Sequence, residues 1–135
     1  MLKDVVQVCT DGSDLSHKGI ESAVEIAKAL KLPVLGMTAV LGKPNTVAGL
    51  EHESKDVQER LAAVKNLAEA AEVPYELVAE HCTEVAEGIL AVADRHEARF
   101  IVMASRGLGT LGSLILGSET QKVLAKADRP VLVIR

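Results

Sequence analysis

Aromatic residues are almost missing from this 135-residue chain, which has one tyrosine, Tyr75, one phenylalanine, Phe100, and no tryptophan. Its core must therefore be built from Val, Leu, Ile and Ala, and any ring it binds is held between aliphatic groups. A stacking platform for single-stranded nucleic acid is excluded on that ground. Basic runs are missing too. Lys and Arg total 15 against 19 Asp and Glu, for a net charge of −4, so nothing invites a polyanion and no nucleic-acid partner is expected. No apolar run reaches the roughly 20 residues that a spanning helix needs. The start, MLKDVVQVCTDG, meets Lys3 and Asp4 at once and has no signal-peptide pattern. The expectation is a cytoplasmic protein without a membrane span. Cysteine is limited to Cys9 and Cys82 with no CxxC pair, which fits reduced thiols better than a disulfide scaffold. His17, His52, His81 and His96 form no helix-borne pair and, with Cys82, no defensible zinc set. His81 and Cys82 are adjacent on a strand and so point to opposite faces, which argues against a dyad and leaves them surface or packing residues. The glycines fit neither a P-loop, which needs a Gly-Lys-Ser/Thr ending, nor GxGxxG after the first strand.

What is present is a hydrophobic fraction of 48%, enough for one core in one domain spanning 1–135. Apolar or alternating runs predict strands at Asp4–Thr10, Pro33–Val40, Tyr75–Cys82, Arg99–Ser105 and Pro130–Ile134. Helical spacing predicts a helix over Ser16–Leu30 that buries Ile20, Ala23, Val24, Ala27 and Leu30. A second helix starts near Lys55 with Val57, Leu61, Val64, Ala68 and Ala71 on its stripe. A third is capped by Thr83 and carries Val85, Ile89 and Val92, and a fourth runs from about Glu119 to Ala127. Leu41–Ser54 has no clear period and reads as a loop with a short helical turn. Strands alternating with helices predict an α/β fold with an open parallel sheet and helices on both faces. The first, second and fourth strands are the most apolar and belong in the centre. The charged third strand and the proline-led fifth belong at the edges. The strand order is then 3-2-1-4-5.

In such a sheet ligands bind beyond the carboxyl ends of the strands where the order reverses, here between strands 1 and 4. One lip of that crevice is Thr10, Asp11, Gly12 and Ser13; the other is Ala104, Ser105, Arg106 and Gly107. The stretch MASRGLGTLGSLILGSETQKVL is therefore placed where a phosphate would sit. Gly107, Gly109 and Gly112 let backbone N–H groups approach a ligand, and Gly117, Ser118 and Glu119 open the last helix, whose N-terminus favours an anion. Ser118 with Gln121 also fits a capping box. Asp11 either meets a ribose hydroxyl, holds a cation or caps a turn; Ser13 either donates to a phosphate or caps the first helix. Arg106 is the guanidinium nearest the loop, and Lys43 is a weaker candidate.

The combination of VCTDGSDLS after the first strand, the VMASRG…LGS segment and the closing ADRPVLVIR resembles the universal stress protein family. The likeness runs over essentially the whole chain and is strongest in residues 5–30 and 99–135. The family's phosphate motif is a glycine, two residues, a second glycine, nine residues, then glycine and Ser or Thr. Gly107, Gly117 and Ser118 keep that spacing, and Ala104 stands at the first position in place of glycine. By the same resemblance Asp11 meets the adenosine portion, Ala39 or Val40 lies where the strand 2 backbone addresses adenine, and Met103 lies beside it on strand 4. The resemblance implies ATP as ligand, with Mg2+ carried by the nucleotide, in a regulatory or stress-response protein. No second acid-base group is visible at the site, so at most slow ATP hydrolysis is expected and no catalytic residue is assigned. The contrary reading is a nucleotide-free homodimer acting through an unidentified protein partner. In either case the apolar edge strand Pro130–Ile134 is expected to pair two subunits, antiparallel by the resemblance. With so few rings, discrimination against other purines is expected to be modest. Ala104 is expected to have ordinary extended backbone, and ATP binding to be retained but weakened.

Overall fold

Each apolar run becomes a strand, and each amphipathic segment a helix that covers it. The computed structural model describes residues 1–44, 47–105 and 116–135. The order is β1 (Val6–Cys9), α1 (Asp14–Leu30), β2 (Val34–Leu41), a 3₁₀ turn (Leu50–His52), α2 (Lys55–Ala70), β3 (Tyr75–Cys82), α3 (Val85–Arg95), β4 (Phe100–Ala104), α4 (Ser118–Lys126) and β5 (Val131–Ile134). The five strands form one parallel sheet in the order β3-β2-β1-β4-β5. β1 to β3 are laid down outward in one direction, and the chain then returns across the sheet to β4 and β5. Because crossovers are right-handed, that reversal puts α1 and α2 on one face and α3 and α4 on the other.

Side-chain alternation along the strands fills two cores. Val6, Val8, Val34 and Val102 pack with Ile20, Ala23 and Val64 under α1 and α2. Val5, Leu35, Met37, Ile101 and Met103 pack with Ile89, Val92 and Val123 under α3 and α4. Burying each such Val, Leu or Ile side chain is worth roughly 1.5–3 kcal/mol, so these stripes outweigh local propensity in fixing the layers. Gly36 of β2 lets α2 come close: a Cβ there would lie 2.7 Å from a Val64 methyl.

The boundaries differ from the sequence expectation in instructive ways. Ile20, Ala23, Val24 and Ala27 are buried, but Leu30, the last residue of α1, is 49% exposed. Ala71 lies past the end of α2. Thr83 is not the cap of α3: the cap position is Glu84, which makes no side-chain cap bond. Likewise Ser118 is the first residue of α4 and Gly117 its cap, so the expected box does not form. Gln121 instead donates from Nε2 to the Leu116 carbonyl at 2.8 Å.

Candidate functional site

The first lip of the crevice is built by short-range polar bonds that follow directly from its residue types. Thr10 is buried; its Oγ1 accepts from the Gly12 N–H at 3.2 Å and lies 3.1 Å from Ser16 Oγ. Asp11 is exposed, and its Oδ1 accepts from the Ser13 N–H at 2.9 Å, the turn an Asx side chain favours. Gly12 has φ +85°, a conformation that a side chain would strain. Ser13 caps α1, accepting from the Ser16 N–H at 3.2 Å. Thus Ser13 Oγ has a structural task at the position where a phosphate contact was also considered.

β2 supplies the next wall. β1 ends at Cys9, opposite Met37, while β2 runs on to Leu41. Thr10 N–H donates to the Met37 carbonyl at 3.0 Å, so Met37 aims its backbone groups toward β1. Alternation then turns those of Ala39 the same way, past the end of β1, and those of Val40 toward β3. Of the two alternatives, Ala39 is the one whose peptide faces the crevice. Its side chain joins Cys9, Val78, Val85 and Met103 in the layer under α3, an aliphatic wall that contains no aromatic ring. Burial pushes the Cys9 thiol up to about 12, so this partly buried sulfur, packed against the core, has little thiolate at neutral pH.

The second lip begins at Ala104, the last residue of β4, paired with Ile134 of β5. Its backbone is extended and it is not among the residues of positive φ, so alanine causes no strain there. Ser105 is anchored by its N–H to the Ile134 carbonyl at 2.8 Å. Arg106, Gly107, Gly109 and Gly112 lie outside the described residues. Gly117 has φ −59°, which any residue adopts, so what glycine provides there is the absence of a side chain. Ser118 follows, exposed, in the first turn of α4.

Glu119 is turned elsewhere. Its Oε2 accepts from the Ala86 N–H at 2.8 Å, capping α3 from outside, and its Oε1 lies 3.4 Å from Lys122 Nζ. Lys122 also reaches Glu84 at 3.2 Å, and these two carboxylates, Glu84 first, raise its pKa. Lys43 is exposed, just past the end of β2. Among the described residues no group of three or more His, Cys, Asp or Glu is arranged to hold a metal ion.

Two arrangements escaped the sequence reading. His81 is neither a surface nor a packing residue: its Nε2 is 2.9 and 3.0 Å from the two Glu53 oxygens, in a pair about nine-tenths buried that ties the β2–α2 connection to β3. Arg60 of α2 reaches across to β2, with Nη1 donating to Thr38 Oγ1 at 3.3 Å and Nη2 to Asp56 at 2.7 Å. The Asp56 pair has a helical i,i+4 signature in the sequence. The Thr38 bond has none.

A parallel sheet that reverses between β1 and β4, with an acidic Asx turn on one lip and a glycine-led helix on the other, defines a doubly wound α/β protein with a crevice at its switch point. The Universal stress protein family model matches residues 3–135. A universal stress protein of Methanocaldococcus jannaschii is 31% identical over 96% of this chain and 81% of that protein. A higher identity, 56% to a universal stress protein of Thermus aquaticus, covers 37% of this chain and 36% of that one. This chain belongs to the universal stress protein family. A solved universal stress protein of Archaeoglobus fulgidus superposes with a TM-score of 0.82 at 24% identity, covering 99% of this chain and all of that one. The universal stress protein of the same organism in complex with dAMP matches with a TM-score of 0.77 at 23% identity over 100% of both chains. A universal stress protein in complex with cAMP matches at 0.76 and 23% over 100% of this chain and 99% of that one.

Proposed function

We propose that this protein binds adenine nucleotides, ATP with its Mg2+ among them, in the crevice between β1 and β4, and acts as a regulatory stress-response protein with at most slow hydrolysis. The observation that carries the reading is the alignment of three features along one line of strand ends. These are Asp11 after β1, the Ala39 peptide past the end of β1, and Ala104 with Gly117 and Ser118 where α4 begins. Ribose, adenine and phosphate each have a matching partner in that order. The dAMP and cAMP bound by structures of the same fold support the ligand class. Gly107 belongs to the proposed phosphate site by the family's spacing, Arg106 and Gly109 by their place in the same loop, and Met103 to the aliphatic wall. A cytoplasmic location and a homodimer through β5 belong to the same proposal.

Calorimetry on ligand-stripped protein tests it, with ATP, AMP and GTP as ligands. Extended backbone at Ala104 means that glycine there would gain only the room of one methyl. The expected result is weak ATP binding, severalfold tighter in Ala104→Gly and lost in Gly117→Val, with GTP competing within a few hundredfold. Absence of adenine-nucleotide binding at millimolar concentration in both wild type and Ala104→Gly would replace this reading with that of a nucleotide-free dimer.

A further inference from the structure

On the α1/α2 face, behind the β1–α1 turn, lies a cleft of about 150 Å3 whose lining includes Thr10, Gly12, Ser13, Ser16 and Arg60. Arg60 joins its two walls. Its stem runs under Gly12, so close that a Cβ on Gly12 would sit 3.2 Å from Arg60 Cγ. Its head bonds to Thr38 Oγ1 at 3.3 Å and is braced from behind by Asp56 at 2.7 Å. Gly12 directly follows Asp11, and Thr38 directly precedes Ala39. One side chain thus touches the neighbours of both groups assigned to the adenosine half of the ligand.

We propose that Arg60 is a positioning residue for adenosine, holding the Asp11 turn and the Ala39 peptide at the spacing that ribose and adenine require; this rests on the nucleotide reading above. The arrangement is poor as a purely stabilising device. Arg60 Nε is buried without a hydrogen-bond partner, and an orphaned buried donor costs stability. The Asp56 carboxylate is largely exposed, so that ion pair contributes little. A methionine would fill the stem's volume without the orphan. What it would lose is the polar tie to β2, and with it the fixed distance between the two walls. β1 and β2 are already separate strands at that point, since Met37 is the last β2 residue with a β1 partner in the ladder. Beyond it Arg60 of α2 bonds to Thr38 of β2 and runs its stem under Gly12, just after β1, so the two strand ends are linked through α2.

The test compares wild type with Arg60→Met and Thr38→Val, using adenosine, AMP and ATP as titrants, alongside urea unfolding and amide exchange. Arg60→Met should unfold at nearly the wild-type urea concentration. It should bind all three ligands about tenfold more weakly, the worth of one well-placed hydrogen bond, with the ATP-to-AMP affinity ratio unchanged. Exchange should quicken together in residues 10–14 and 38–41. Thr38→Val should reproduce the affinity loss, and the double variant should be no worse than Arg60→Met alone. Wild-type adenosine affinity in a folded Arg60→Met, or a loss that falls on ATP more than AMP, would overturn the proposal while leaving the nucleotide reading intact. Wild type that binds none of the three ligands at millimolar concentration overturns both.

Discussion

Cys9 shows how far a single residue's chemistry is set by its neighbours. In the sequence it is a thiol beside the Asp11 turn, a place where a reactive cysteine would have consequences. In the fold its sulfur lies in the aliphatic layer under α3, and burial pushes its pKa to about 12, only slightly offset by the Gln7 amide at 4.0 Å. Its folded value is raised, so its contribution to stability is complete below the ordinary thiol value of 9.0 and is lost as pH rises toward 12. Cys9 is partly buried, so iodoacetamide at pH 8 should label it slowly in the folded protein and quickly in urea. Mass spectrometry of the labelled peptide checks this, and rapid native labelling would contradict the burial. Asp11 differs in kind: a turn cap was one of its readings beside a ribose or cation contact, and the Asx turn with Ser13 forms because its partner is two positions away.

At the scale of elements, α3 is held at both ends by residues from the last quarter of the chain. Glu84 offers no side-chain cap, so the Ala86 N–H is taken by Glu119 at 2.8 Å. At the other end Arg129 Nη1 donates to the Ala93 carbonyl at 2.6 Å and to the Ala98 carbonyl at 3.2 Å. α4, which begins the proposed phosphate site, is thereby tied to α3 through its first turn. Glu119→Ala should cost about 1 kcal/mol, the usual worth of a lost N-cap, and speed amide exchange at residues 85–88 before the rest of α3. Denaturant unfolding and exchange together measure both effects; unchanged exchange there would mean that water replaces the carboxylate without loss. The helices themselves were readable from their apolar spacing, and β3 from its length and alternation. The helix caps were readable only in part: Ser13 does cap α1, whereas Thr83 and Ser118, both good cap residues by type, were bypassed.

For the whole molecule the open question is the outer edge of β5. Among the described residues no strand pairs with that edge, and Leu132 is 40% exposed on a short apolar strand. An uncovered edge of this composition invites pairing with a second copy. The ladder to β4 gives a clean test. Pro130 and Ile134 direct their carbonyls to β4, accepting from Ile101 and Ser105, so Val131 and Val133 direct their N–H groups outward. Val133→Pro removes one outward donor while sparing the β4 ladder. Light scattering should give a dimer for wild type at micromolar concentration and a monomer for Val133→Pro with unchanged circular dichroism. A monomeric wild type would remove the dimer from the proposal.

Strand order, the two-layer covering and the position of the crevice were determined by the sequence itself, because they follow from local properties. Apolar runs mark buried strands, charge and Pro130 mark edges, and the crossover rule leaves one point of reversal. Only the tertiary structure decided that Ala39 and not Val40 faces the crevice, since that depends on the register of β2 against β1. It likewise decided that Glu119 caps a different helix, that His81 holds Glu53, and that Arg60 ties α2 to the end of β2. Those partners lie 33, 28 and 22 residues apart in the chain. Helical and strand periodicity describes which face of an element is buried, whereas a bond across such separations exists only after the faces have packed.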